Sequence, residues 1–172
     1  GVGTGVMGIP NDDSRWNNCY GNIRATNHMF ERAVSSYTGN LADIKKELAE
    51  GHFFRAYNYF YLLKFFGGVP VVTKVLDVTS PELYGKRNSR YEVVNLILSD
   101  LDEAIAGLPL EQNITSADKG KISKQAAQAF KARVLLYEAT WRTYNGTSTD
   151  YEGSAGPTSD PVTAFLVESV QL

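Results

Sequence analysis

The 172-residue sequence contains a single cysteine, Cys19, so an internal disulfide framework is excluded. Cys19 lies in the polar context RWNNCY, and we expect it to pack as a small buried residue. Histidine is equally scarce: His28 and His52 are the only two, and neither has Cys, His or Glu neighbours at metal-ligand spacing. Because a zinc ion needs three or four converging ligands, the sequence predicts no metal site.

An excess of charge of one sign is also missing. The chain carries 17 Lys and Arg against 19 Asp and Glu, which gives a formal net charge of -2 at pH 7. Nucleic-acid-binding domains are usually basic, so this balance argues against a nucleic-acid partner. It says nothing for or against a neutral ligand such as a sugar.

Long hydrophobic runs are absent. The most aromatic stretch, FFRAYNYFYLLKFF (53–66), is interrupted by Arg55 and Lys64 and stops at Gly67-Gly68. A membrane-spanning helix needs about 20 mostly apolar residues, so this stretch is not a membrane span. The first ten residues, GVGTGVMGIP, have neither the basic nor the long apolar part of a signal peptide. Both ends of the chain look cut, and we expect a piece of a longer protein.

Apolar residues at steps of three and four indicate amphipathic helices. The pattern predicts five of them, near residues 14–34, 41–66, 89–108, 123–144 and 161–172. Residues 1–13 and 146–160 are predicted loops, and residues 69–75 are predicted to be extended. The fold class is therefore all-α, with antiparallel helix pairs stacked like tetratricopeptide units and incomplete at both ends.

Local signals mark where several of these helices begin and end. Asn40 is a candidate N-cap, and Ser89 with Glu92 forms the S-x-x-E pattern of a capping box. Gly67 fits a left-handed helix C-cap, and Pro70 prevents the helix from resuming.

Four blocks of sequence, in order, resemble the SusD/RagB family: RWNNCYGNIRATNHMFERA (15–33), EGHFFRAYNYFYLLKFFGGVPVVT (50–73), RNSRYEVVNLILSDLDEAIAGLP (87–109) and GKISKQAAQAFKARVLLYEATW (120–141). The second block is the most specific. The resemblance marks a set of scaffold residues: Arg55, Tyr57, Tyr59, Phe60, Phe65, Gly67, Gly68 and Pro70. We expect the rings of this block to lie inside the helical scaffold and Arg55 to pair with a buried acceptor, such as a carboxylate from another helix.

The resemblance implies an outer-membrane lipoprotein of Bacteroidetes without a cofactor. Such proteins bind glycans, or in some cases peptides, at the cell surface and pass them to a SusC-like TonB-dependent transporter. Two family features are missing from these residues: the signal peptide with its lipobox cysteine, and most of the C-terminal half, which carries much of the ligand site. Residues 1–172 are thus expected to form a single partial SusD-like domain, anchored by lipid only through the parent protein.

Trp16, with Asn17 and Asn18 beside it, is the candidate ligand-binding group. An aromatic face suits the C–H surface of a sugar and amides suit its hydroxyls, although packing at a helix start also explains Trp16. Trp141 and Tyr144 adjoin the loop at 146–160, but Trp141 lies on the core stripe of its helix.

Carboxylates at Asp100, Asp102 and Glu103 are predicted to form a solvated helix face, and no catalytic motif is present. Non-enzymatic nutrient binding is the leading hypothesis. The alternatives are a helical-repeat module that binds another protein and, less well supported, a glycosidase. We also expect the isolated chain to be marginally stable, because an uncapped repeat array leaves apolar surface uncovered.

Overall fold

The computed structural model describes residues 12–146 and 161–172, so the predicted loops at 1–13 and 146–160 fall almost entirely outside it. These two ranges contain five α-helices: α1 (Ser14–Ser35), α2 (Lys45–Phe66), α3 (Arg90–Gly107), α4 (Lys124–Asn145) and α5 (Val162–Ser169). Short 3-10 helices occupy the connections at Leu41–Ile44, Pro81–Tyr84, Glu111–Asn113 and Ser116–Asp118. The described ranges contain no β-strand, which confirms the predicted all-α class.

Helix boundaries follow the capping signals of the sequence. The Ser89 side chain accepts from the backbone N–H of Glu92 at 3.1 Å, and the Glu92 carboxylate accepts from the backbone N–H of Ser89 at 2.7 Å. The predicted capping box of α3 is therefore confirmed. Asn40 also caps as predicted, but the turn that follows it is a 3-10 helix and α2 begins only at Lys45.

Two glycines end α2. Gly67 has a φ of 68° and a ψ of -131°, a conformation that residues with a Cβ rarely adopt. The expected positive φ is present, although the ψ lies outside the left-handed helical region. At Gly68 a Cβ would collide with the backbone oxygen of Asn88. The chain therefore turns sharply here and passes close to the residues that start α3.

Helices that follow one another in the chain pack together: α2 contacts α1 and α3, and α4 contacts α3 and α5. The core is one cluster built from all five helices and the segment after α2, and it includes the fully buried Leu62, Leu63, Ile97 and Leu101.

Cys19 is buried, as predicted. The last helix ends at Ser169 rather than 172. Whether residues 1–172 form a single partial domain stays a prediction.

Arg55 of α2 lies in a buried polar network that joins three helices. Its Nε and Nη2 donate to the two carboxylate oxygens of Asp100 on α3, each at 2.7 Å. Its Nη1 donates to Oδ1 of Asn27 on α1 at 3.0 Å, and His52 Nδ1 lies 2.7 Å from the same Asp100 carboxylate. The expectation that Arg55 pairs with a buried carboxylate is confirmed.

The prediction that Asp100 lies on a solvated face is wrong, because its exposed fraction is 2%. Asp100 shares the core stripe of α3 with Ile97 and Leu101, and its charge is compensated by Arg55. Burial acts to raise the pKa of the Asp100 carboxyl, but the hydrogen bonds from Arg55 and His52 outweigh burial and lower the pKa below its ordinary value. Asp102 is exposed, as predicted.

A second buried network, which the sequence did not reveal, joins α3 to α4. Arg90 donates to the fully buried Glu138 carboxylate through Nε at 2.9 Å and Nη2 at 2.6 Å. Nε of Arg142 lies 2.8 Å from the other carboxylate oxygen. The ring of Trp141 lies under the Arg90 guanidinium, 3.9 Å from its carbon. The predicted packing role of Trp141 agrees with this contact.

The rings of residues 53–66 divide between two sides of α2. Phe53, Tyr59 and Phe60 are buried, as predicted. The prediction is wrong for four others, which are between 36% and 50% exposed: Phe54, Tyr57, Tyr61 and Phe65. Their spacing of three and four places them on one stripe of α2. The stripe is partly covered, because Arg15 of α1 lies over the Phe65 ring and Phe130 of α4 packs against Tyr57. We call these four residues the aromatic face of α2.

Candidate functional site

A cavity in the described part of the chain lies between α1, the segment that follows α2, and the short helix Pro81–Tyr84. Its volume is about 330 Å³. Small-molecule pockets usually measure ~300–1,000 Å³, so this cavity can hold a small ligand. Its walls are formed by Trp16, Tyr20, Ile23, Arg24, Pro70, Val72, Lys74, Leu76, Glu82 and Leu83.

Helix α1 supplies an aromatic pair to the cavity wall. Trp16 and Tyr20 are one helical turn apart, and their ring centroids are separated by 4.8 Å. Trp16 also packs edge-on against Phe66 at the end of α2, with 5.2 Å between centroids. Both rings are half-buried, so they are fixed in place while part of their surface remains free for a ligand.

Residues 69–75, which were predicted to be extended, form neither a helix nor a strand, and side chains of α1 hold them in place. We call these residues the extended segment. The Tyr20 hydroxyl donates to the carbonyl of Pro70 at 2.7 Å. Nδ2 of Asn27 donates to the carbonyls of Val72 at 3.0 Å and Lys74 at 3.2 Å. These partly buried carbonyls gain hydrogen-bond donors in this way, and the bonds position the second wall of the cavity.

Helix α2 holds the same segment from the other side. The hydroxyl of Tyr59 accepts from the backbone N–H of Val72 at 2.7 Å and lies 3.1 Å from the carbonyl of that residue. Burial raises the pKa of Tyr59 to about 12, and burial also raises the pKa of Tyr20. Both phenols therefore stay protonated at neutral pH and can donate.

Asn27 links the cavity wall to the buried Arg55 network. Its Oδ1 accepts from Arg55 while its Nδ2 donates to the carbonyls of the extended segment. The Asn27 side chain is buried and uses both ends of its amide. Any change that frees Arg55 from Asp100 is therefore expected to disturb the cavity as well.

Charged side chains also line the cavity: Lys74 and Glu82 come from the connection after α2, and Arg24 comes from α1. Nζ of Lys74 lies 2.5 Å from Oε1 of Glu82, and this hydrogen bond lowers the pKa of the Glu82 carboxyl. The second oxygen, Oε2, is shielded from solvent and has no hydrogen-bond partner in the described structure. Nη1 of Arg24 donates to the carbonyl of Leu76 at 2.9 Å, which leaves further N–H groups of its guanidinium available.

Of the three predicted ligand-binding residues, the structure places only Trp16 at the cavity. Asn17 and Asn18 are exposed and do not line it, and Nδ2 of Asn17 donates to Asp12 at 2.5 Å. Neighbours in a helix point about 100° apart, so residues adjacent to Trp16 in sequence face elsewhere.

Sequence reasoning missed Tyr20 and Arg24, although a signal for both was present. They follow Trp16 at steps of four, which puts all three on one helix face. Lys74 and Glu82 had no such signal, because an irregular segment brings them to the cavity.

Neither a metal site nor a membrane span is found in the part of the chain that the structure describes. No group of three or more His, Cys, Asp or Glu side chains is arranged to hold a metal ion there. Among the described helices, none combines the length and apolarity required to cross a bilayer.

Comparison with known proteins agrees with this architecture. Residues 10–136, about three quarters of the chain, match the model of a SusD-like family described as "Starch-binding associating with outer membrane". The chain belongs to the SusD-like family. This result confirms the resemblance that the four sequence blocks suggested.

Two curated SusD-like relatives are similar to parts of the chain. SusD-like protein P38 of Formosa agariphila is 37% identical over 91 residues, which cover 52% of this chain and 17% of the relative. A SusD-like protein of Bacteroides ovatus is 28% identical over 140 residues, which cover 78% of this chain and 24% of the relative. The alignments thus span about a quarter or less of these relatives.

Solved SusD-like structures share the helical fold. A SusD-like protein from Bacteroides fragilis is 34% identical with a TM-score of 0.66, over 77% of this chain and 25% of its own. A SusD-like carbohydrate-binding protein from the same species is 28% identical with a TM-score of 0.65, and the match covers 75% of this chain and 25% of that protein. A laminarin-binding SusD-like protein is 26% identical with a TM-score of 0.65, and the match covers 83% of this chain and 32% of that protein. These likenesses confirm the predicted tetratricopeptide-like helical scaffold.

Proposed function

We propose that the cavity beside Trp16 is a glycan-binding site, which this chain contributes to a nutrient-binding protein of the bacterial surface. The observation that carries the proposal is the fixed aromatic pair, Trp16 and Tyr20, which lines the cavity together with charged hydrogen-bonding groups. Such rings stack on the C–H face of a sugar, and polar groups in the same cavity bind its hydroxyls. The carbohydrate-binding and laminarin-binding relatives support this ligand class.

The unpaired oxygen of Glu82 fits a polyhydroxylated ligand. The oxygen has no donor in the described structure, and a sugar hydroxyl would supply a hydrogen bond to it. The oxygen is held in place because the other half of the carboxylate pairs with Lys74. The cavity therefore offers both an apolar platform and an oriented acceptor.

We also propose that the protein binds its ligand without catalysis. Glycosidases use two carboxyl groups on either side of the scissile bond, about 5–10 Å apart. Among the described residues that line the cavity, Glu82 is the one carboxylate, and it is paired with Lys74. This arrangement lacks a second acid–base group.

The parent protein is proposed to lie at the outer membrane, attached by a lipid anchor, and to deliver glycan to a SusC-like TonB-dependent transporter. Support comes from the resemblance to the SusD/RagB family and from the outer-membrane association in the description of the matched family. Co-purification of the full-length protein with a SusC-like transporter from the same cells tests this proposal. Recovery of the protein from the cytoplasm without a transporter would contradict it.

The glycan proposal is tested by titrating the chain with maltoheptaose and with laminarin oligosaccharides in a calorimeter. Replacing a buried aromatic anchor of a binding site costs 2 kcal/mol or more, so Trp16→Leu is expected to weaken binding about 30-fold. Tyr144→Leu is the matched control, because Tyr144 is an exposed aromatic residue that does not line the cavity. Equal affinities of the wild type and Trp16→Leu would refute the assignment of the site.

A second candidate function, contact with another polypeptide, is favoured by the aromatic face of α2. Apolar side chains at helical spacing are the usual complement of an amphipathic helix, and the four rings of this stripe are between 36% and 50% exposed. Replacing Tyr57 and Tyr61 by Gln would then weaken association of the full-length protein with its transporter. Glycan affinity should stay the same, because neither residue lines the cavity.

A further inference from the structure

The charges around the cavity do not cancel. Lys74 and Glu82 form an ion pair with each other, so together they add little net charge. Arg24 remains, and its observed partner is the neutral carbonyl of Leu76. Among the described residues, the ion pairs formed by arginine involve Arg15, Arg55, Arg90 and Arg142, and not Arg24.

A second guanidinium, which does not line the cavity, adds positive charge near the aromatic pair. Arg87 donates to the carbonyls of Gly68, at 2.6 Å, and Phe66, next to the aromatic wall. Burial raises the pKa of Tyr20, and the positive charge of Arg87 opposes that effect, which places this charge within electrostatic reach of the cavity wall. Both arginines are bound to neutral carbonyls, so neither charge is neutralised by its partner.

One carboxylate nearby acts in the opposite direction. Asp77 follows the extended segment, and its negative charge reaches Glu82. The Asp77 carboxylate is already occupied by local donors, the backbone N–H and hydroxyl of Thr79 at 2.8 and 2.7 Å. With Arg24, Arg87, Lys74, Glu82 and Asp77 counted together, the local charge is positive in a chain whose net charge is -2.

From this geometry we infer that the cavity selects an acidic sugar, a pyranose that carries a carboxylate. The inference rests on the proposed glycan-binding function and specifies its ligand class. The sugar ring stacks on Trp16 and Tyr20, and its carboxylate accepts from the free N–H groups of Arg24. A guanidinium matches a carboxylate in shape, since its planar fork can donate two parallel hydrogen bonds. The shielded oxygen of Glu82 accepts from a hydroxyl of the same ligand.

Matched pairs of oligosaccharides test this inference. The panel contains oligogalacturonate, oligomannuronate and oligoglucuronate, each beside its carboxyl-reduced form, in which a CH₂OH group replaces the carboxylate. Charge-assisted hydrogen bonds contribute about 1.5–3 kcal/mol, so the wild type should bind at least one acid form roughly 10- to 150-fold more tightly than its reduced form. The preference should shrink as salt is added, because the cavity is open to solvent and its charges are screened.

Arg24→Gln should reduce this preference to about one. Arg24→Lys keeps the charge but loses the fork, so an intermediate preference is expected, and this variant separates recognition from any effect on folding. Arg32→Gln is the matched control, because Arg32 is an exposed arginine of the same helix that does not line the cavity. It removes the same charge and should keep the full preference.

The outcomes separate the two proposals. In one outcome, neutral glycans bind the wild type and Trp16→Leu lowers their affinity, but the acid and reduced forms bind equally and Arg24→Gln changes nothing. The selection of acidic sugars is then wrong, while the glycan-binding function stands. If neither the panel nor the neutral oligosaccharides bind the wild type, the glycan-binding function itself fails. An equal loss of preference in Arg32→Gln would also overturn the inference, since net charge alone would then explain it.

Discussion

Removing the carboxylate of Asp100 is predicted to destabilise the scaffold more than any exposed substitution on the same helix. In the structure, Asp100 accepts two hydrogen bonds of 2.7 Å from Arg55 and lies 2.7 Å from His52. After Asp100→Ala, the buried Arg55 guanidinium keeps its bond to Asn27 and its contact with the Phe30 ring, but no carboxylate remains in hydrogen-bond contact with it among the contacts described. An uncompensated buried charge is the main cost of this change.

The expected loss is about 3–5 kcal/mol of unfolding free energy, the usual cost of breaking a buried ion pair from one side. For a chain of this length each kcal/mol lowers Tm by roughly 2–4 °C, so the total shift is about 10 °C. Glu103→Ala on the same helix provides the control. Glu103 is exposed, and its replacement should change stability by no more than ~0.5 kcal/mol.

The free energy of unfolding of both variants is measured by urea unfolding followed by circular dichroism. The reasoning would be refuted if Asp100→Ala cost no more than Glu103→Ala. The double variant Arg55→Met with Asp100→Leu adds a second check, because it removes both charges and refills the space. It should recover much of the loss, since apolar residues can replace a buried ion pair at little cost.

The stabilisation by the Asp100 carboxylate is also expected to depend on pH. The pKa of Asp100 is lower in the folded protein than its ordinary value of 3.8, so the unfolded chain binds the proton more readily. The stabilisation by this carboxylate is therefore fully present well above pH 3.8 and is lost as the pH falls through the lower folded pKa. The stability difference between the wild type and Asp100→Asn should shrink when unfolding is measured at pH 2 instead of pH 7. A constant difference would contradict this sign.

Two further predictions concern the end of α2 and the extended segment. Gly68→Ala should destabilise the folded protein by about 2 kcal/mol or more, because its Cβ would collide with the backbone of Asn88. Gly21→Ala, in open space on α1, should stabilise it by up to ~1 kcal/mol. Thermal melts should therefore show Tm shifts of opposite sign, and equal shifts would contradict the prediction. Tyr59→Phe should cost about 1–2 kcal/mol by leaving the backbone N–H of Val72 unpaired, while Tyr57→Phe on the exposed face should be nearly neutral. Similar urea midpoints for these two variants would show that the hydroxyl of Tyr59 is not needed.

Position within a helix explains which parts of the candidate site the sequence indicated. Trp16 was identified because an aromatic residue with polar neighbours suits a sugar. Asn17 and Asn18 were grouped with it on adjacency alone, yet a helix turns them away from Trp16 by about 100° and 200°. A search at steps of four would have chosen Tyr20 and Arg24 instead.

Burial of charge was harder to predict than burial of apolar side chains. Arg55 was expected to find a buried acceptor, because it interrupts an otherwise aromatic helix. Asp100 was assigned to solvent, because a carboxylate next to other acidic residues usually lies on a solvated face. The position of α3 against α2 decided otherwise, and only the packed structure shows which carboxylate meets the guanidinium.

The sequence alone determined the helices, their caps, the abrupt stop at Gly67 and the family, because these depend on residues near one another in the chain and on recurring blocks. The tertiary structure decided which rings of α2 face solvent, which acid pairs with Arg55, and how Lys74 and Glu82 come to line a cavity with Trp16. Those features depend on contacts between segments tens of residues apart. Hydrophobic periodicity predicts which side of a helix is buried, but it does not predict which neighbouring element packs against that side.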